Sequence, residues 1–102
     1  MAKEAREYFE DKFEAQLKIF MEELEELGFK VENMGWESEL ENQREIIELR
    51  LRLEALMKKF QELKAASNPS WRPLKEDMEN ALREFSDSLR NVASRWEGAL
   101  PE

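Results

Sequence analysis

LENQREIIELRLRLEALMKKFQEL, residues 40–63, is a single helical run with apolar side chains on two opposite flanks. At about 100° per residue, Ile46, Leu49, Leu53, Leu56, Phe60 and Leu63 share one face, while Leu40, Ile47 and Leu51 lie roughly half a turn away. A helix that is greasy on both flanks is expected to be sandwiched between neighbours. One neighbour is expected elsewhere in this chain, and the second flank is open to another copy of it.

Working outward, the segment before this run places Phe9, Phe13, Leu17, Phe20, Leu24 and Leu27 at spacings of 4-4-3-4-3, a helix-packing seam. Tyr8 and Ile19 fall well off that seam. Gly28 is one place for this helix to end, as a left-handed cap. Val31 and Met34 keep the same phase, however, so the helix can also run through Gly28 at roughly 1 kcal/mol. Gly35 is the better stop, because Ser38 and Glu41 after it have the spacing of a capping box.

On the other side, Pro69 and Pro73 mark residues 67–72 as a linker, since two prolines four apart cannot both sit inside a helix without losing a backbone bond. Ser70 as N-cap would put Pro73 in the first turn. Trp71, Leu74, Met78, Leu82, Phe85, Leu89, Val92 and Trp96 then form one face of a third helix, closed by Gly98 and Pro101. The spacing of that face is nearer 3.6 than 3.5 residues per turn, which predicts little supercoil.

The resulting expectation is one helical domain over residues 1–102, with helices at about 3–34, 38–66 and 73–97. Its fold class is all-α: an antiparallel three-helix bundle or long helical hairpin, coiled-coil-like and oligomeric. If neither Gly28 nor Gly35 breaks the chain, the alternative is one helix of some 65 residues, nearly 100 Å long, with the third helix folded back on its C-terminal half. That form would expose Phe9, Phe13 and Phe20 and would require a second subunit.

Composition limits the chemistry. The 102 residues contain no Cys and no His, which removes disulfides, thiolate nucleophiles, the commonest general base and the commonest transition-metal ligand. The net charge of −8 is concentrated early: residues 1–34 hold ten acids against five bases, residues 35–66 seven against six. Such a surface repels phosphate backbones, so a nucleic-acid partner is disfavoured despite Arg50, Arg52, Lys58 and Lys59. The N-terminus enters charged helix without an apolar signal core, and no run approaches the ~20 apolar residues that span a bilayer. A soluble, cytoplasmic protein is the expectation.

Leu63-Lys64-Ala65-Ala66-Ser67, Trp71, Leu74-Lys75, Met78-Glu79, Ala81 and Ala93-Ser94-Arg95-Trp96 resemble the C-terminal half of a group of small bacterial coiled-coil proteins. Some of that group are described as stress-associated, and their biochemical function is unknown. Ala15-Gln16-Leu17 is similar to an early stretch of the same group. The resemblance implies coiled-coil association and brings no catalytic residues.

Features that could carry chemistry have plainer structural explanations. Glu22, Glu25 and Glu26 could in principle hold Mg²⁺ or Ca²⁺, but the pattern is that of a solvated acidic face. The six serines lack a base beside them. Trp36, Trp71 and Trp96 read as plugs closing the ends of a bundle rather than as a stacking platform. No catalytic, cofactor-binding or metal-ligating residue is expected, no cofactor is implied, and the chain reads as a non-enzyme.

Two function classes follow. The first is a helical association or scaffold protein, self-assembling as a dimer or higher oligomer or packing on a partner's helix, with Leu40, Ile47, Leu51, Tyr8 and Ile19 as its candidate interface. The second is a protein that lays its third helix in a membrane surface, with Arg83, Arg90 and Arg95 on its polar flanks. The acidic balance of the chain favours the first.

Overall fold

The computed structural model describes the backbone of residues 5–32 and 36–99, and the side chains of residues 5–30 and 43–95. Three helices account for nearly all of this: α1 (Ala5–Glu32), α2 (Trp36–Ala65) and α3 (Asn68–Ala99). Among the described residues there is no strand. At about 1.5 Å per residue, helices of 28, 30 and 32 residues are rods of roughly 40–50 Å, which matches the longest dimension of 52 Å. The radius of gyration, 16.4 Å, exceeds the ~13 Å of a compact chain this long. The molecule is an elongated bundle.

Cross-helix contacts fix the topology as up-down-up. Arg6 at the start of α1 reaches the end of α2 at Leu63, Lys64 and Ala66, and Glu45 and Arg52 of α2 meet Arg95 and Ser88 of α3, so both neighbours run antiparallel to α2. Phe9 against Trp71 and Phe20 against Phe85 show that α1 and α3 run parallel. The continuous 65-residue helix is thereby excluded, because α1 and α2 fold back on one another.

The core follows the three seams. Phe13, Leu17, Phe20, Leu24 and Leu27 from α1 are buried, with Ile46, Leu49, Leu53, Leu56, Phe60 and Leu63 from α2 and Met78, Leu82, Phe85, Leu89 and Val92 from α3. Phe9, Trp71 and Leu74 pack against them from one end. Phe20 and Phe85 meet at 4.9 Å between ring centroids in a tilted arrangement, the geometry in which aromatic pairs add about 0.5–1.5 kcal/mol beyond area burial. Both α1 and α3 pack on the same stripe of α2, and they touch each other less than either touches α2. The sandwich expected around α2 is therefore made within the chain on one face only.

Three boundaries bear on the sequence expectation. First, α1 runs through Gly28 to Glu32, in keeping with a first helix expected to about residue 34, the glycine costing helix propensity without breaking the helix; Gly35 lies outside the described residues. Second, α2 starts at Trp36, which puts Ser38 inside its first turn rather than at its N-cap, and the side chains of the capping-box pair Ser38 and Glu41 lie outside the described residues. Third, residues 67–72 are not a linker, because α3 begins at Asn68. The Ser67 carbonyl accepts hydrogen bonds from the N–H groups of Ser70 at 3.0 Å and Trp71 at 2.9 Å, which makes Ser67 the N-cap. Pro69 falls in the first turn, where an N–H has no intrahelical partner to lose. Only Pro73 sacrifices a bond, to the Pro69 carbonyl at an exposed rim. At its far end, α3 includes Gly98 and extends to Ala99; Pro101 lies outside the described residues.

Candidate association surface

Among the described residues, seven large apolar side chains are exposed: Tyr8, Ile19, Met21 and Phe29 on α1, and Ile47, Leu51 and Met57 on α2. None of those seven is on α3. The exposures of Phe29 (67%), Leu51 (60%) and Ile47 (55%) are large enough that each still presents most of its apolar area to water.

The structure separates the five residues singled out from sequence. Ile47 and Leu51 lie one turn apart on the outer side of α2. Ile19 lines a different groove, between α1 and α3, with Glu23, Leu89 and Arg90. Tyr8 sits at the opposite end of the bundle from Ile47, its ring edge-on to Phe9 at 5.8 Å. The side chain of Leu40 lies outside the described residues.

What joins Ile47 is Phe29, which the sequence pattern passed over. The two residues line an open groove of about 570 Å³ between α1 and α2, together with Glu25, Gly28, Gln43, Ile46 and Arg50. Gly28 shapes this groove: a β-carbon there would stand 3.4 Å from Nη2 of Arg50, so the guanidinium rests on the bare backbone of α1. The signal for Phe29 was its phase, since Leu24, Leu27 and Val31 carry the seam past it.

Arg6 ties one end of the bundle together. Its Nη2 donates to the carbonyls of Leu63 and Lys64, both at 3.1 Å, and of Ala66 at 2.7 Å, and Nη1 donates to Asn68 Oδ1 at 2.9 Å. Its guanidinium lies 5.5 Å from the Trp71 ring centroid, and Nε approaches Glu10 at 3.4 Å. The last carbonyls of a helix have no intrahelical donor, and here one residue of α1 supplies it for α2 while stacking on α3. Trp71 thus closes this end of the bundle, although its Nε1 is buried without a hydrogen-bond partner. The side chains of Trp36 and Trp96 lie outside the described residues.

Between α2 and α3, Arg95 pairs with Glu45 at 2.7 Å and Arg52 donates to Ser88 Oγ at 2.9 Å. Among the described residues, no three acidic side chains converge to hold a metal ion, Glu22, Glu25 and Glu26 included, and no helix is long and apolar enough to cross a membrane.

Fold and surface together define an elongated three-helix bundle with a hairpin that exposes Phe29, Ile47 and Leu51 among charged residues. No protein-family model, curated protein or solved structure matches the chain.

Proposed function

We propose that the chain is a non-enzymatic association module, which self-assembles through the outer face of the α1–α2 hairpin. The observation that carries this is the meeting of Phe29 and Ile47 in one groove of that hairpin, with Leu51 one turn from Ile47 along α2, all three more than half exposed. Contiguous exposed apolar side chains are costly to keep in water and are found chiefly where another surface covers them. The resemblance to bacterial coiled-coil proteins points to the same class of role. The same face has the form needed to receive the helix of a partner protein, i and i+4 anchors flanked by charge.

Light scattering and thermal melts across a concentration series test this. An assembling protein gains mass and melts higher as concentration rises, because only the folded state associates. Leu51→Glu is expected to abolish both trends while the monomer stays helical. A constant mass of one chain and a constant melting temperature for the unaltered protein would remove self-assembly. A gain in helical signal on adding phospholipid vesicles, without change in mass, would favour the membrane-surface class instead.

A further inference from the structure

We propose that Arg6 and Pro69 form a latch on the corner between α2 and α3, and that releasing it joins the two helices and docks α3 on a second copy of this chain. The latch is independent of the hairpin face, for it involves neither Phe29, Ile47 nor Leu51. Only Ala66 and Ser67 separate α2 from α3. A helix that stops in mid-chain commonly does so at a residue in the left-handed conformation, most often glycine. Residues 63–71 hold no glycine, and among the described residues no non-glycine residue has a positive φ. Lys64, Ala65 and Ala66 are good helix formers. Ser67 caps the start of α3, but nothing before it in the corner ends α2.

Each carbonyl of a continuous helix accepts from the N–H four residues later. Pro69 stands four residues after Ala65, so it would offer that carbonyl no N–H and its ring would collide with it. The carbonyls of Leu63, Lys64 and Ala66, which Ser67, Asn68 and Ser70 would serve in such a helix, are taken instead by Nη2 of Arg6. Nη1 holds the Asn68 side chain and the guanidinium lies by Trp71, so one residue ties the first turn of α3 to the last turn of α2. These contacts exist together only while the chain turns. Straightened, the chain carries α3 away from its hairpin and leaves Met78, Leu82, Phe85, Leu89 and Val92 uncovered, with the stripe of α2 they pack on. A second copy opened in the same way presents the identical hairpin. Every contact of α3 is then remade between copies, in a two-fold exchange that needs no new interface.

Leu51→Glu is carried in every chain of the test, so that association through the hairpin face does not contribute. Arg6→Ala with Pro69→Ala in that background is unfolded in denaturant and refolded at high concentration, because α3 must leave its hairpin to exchange. Light scattering then gives the mass, and small-angle X-ray scattering the longest dimension. One helix from Trp36 to Ala99 is nearly 100 Å long at about 1.5 Å per residue, against 52 Å for the bundle. A two-chain species of that length is expected, about tenfold or more above its level in the Leu51→Glu chain, with the helical signal retained. Pro69→Ala alone leaves every contact of Arg6 in place and is expected to give the same long dimer in lower yield, which keeps the test decisive if the double variant does not fold. A single-chain mass in the folded variants, or a dimer of unchanged length, would overturn the latch. Either result leaves the hairpin-face reading standing, since that is decided by the unaltered chain.

Discussion

Helices α2 and α3 have nearly equal lengths, yet their described apolar residues are used differently. In α3, Met78, Leu82, Phe85, Leu89 and Val92 are buried and Trp71 and Leu74 are half-buried, so its single stripe leaves one way to face the core. In α2, six apolar residues point inward while Ile47, Leu51 and Met57 point out. What orients α2 is a difference between two competing faces. Each large aliphatic or aromatic side chain is worth about 1.5–3 kcal/mol when buried, so the six-residue face outweighs the Ile47 and Leu51 flank by several kcal/mol, with Met57 lying at the edge between the two. That margin suffices to fix the rotation of α2 in the protomer, and the surplus stays outside. A helix serving only its own bundle, as α3 does, has no need of the surplus.

The largest expected effect tests that division directly. Leu53→Glu places an unpaired carboxylate among the buried apolar side chains of the shared core, at a cost above about 4 kcal/mol. For a domain whose whole stability is of order 5–15 kcal/mol, denaturant titration should show little folded protein. Leu51→Glu, two residues away on the other flank, should stay within about 0.5 kcal/mol of the unaltered monomer when measured at low concentration. Equal losses in the two variants would mean that the flanks of α2 are not separate surfaces.

How far this division was legible in the sequence depends on what a helical wheel contains. Periodicity identified the buried seams, because a residue such as Leu49 or Phe85 is buried by its phase alone. It also found Ile47 and Leu51, which are out of phase. It could not tell that Tyr8, Ile19 and Ile47 would end up at one end, in the α1–α3 groove and in the α1–α2 groove respectively, since that depends on which helix lies on which side. Phe29, out of phase with the α1 seam, was passed over, because its proximity to Ile47 is set by how two helices pack. The start of α3 was misplaced for a local reason: Pro69 was charged with a lost hydrogen bond that the first turn of a helix never makes.

A smaller effect is expected at the end of the bundle where the two-faced hairpin meets α3. Arg6→Ala removes the donor for the last carbonyls of α2 and the cation stacked on Trp71, and should cost about 1.5–3 kcal/mol in denaturant titration, the range for hydrogen bonds to a charged group. Arg6→Lys should recover only part of it, because an ammonium cannot reproduce the guanidinium fork that reaches Asn68 and three carbonyls together. Full recovery by lysine would reduce the role of Arg6 to its charge.

The smallest effect, and one of opposite sign, is expected from Gly28→Ala. Gly28 lies inside α1 with an ordinary helical backbone, no described glycine having a positive φ, so replacing it removes conformational freedom from the unfolded chain and should add about 0.5–1 kcal/mol. The new methyl would meet only Nη2 of Arg50 at 3.4 Å, the far end of a flexible side chain and an ordinary van der Waals contact. The gain should appear as a higher melting temperature at concentrations where the protein is monomeric. It bears on the comparison because the glycine costs the protomer helix stability at the place where the groove forms beside Phe29 and Ile47. If the alanine variant melts higher yet associates more weakly, the bare backbone at residue 28 serves the outer face of the hairpin. If it melts lower, the Arg50 guanidinium is held more rigidly against α1 than this geometry implies.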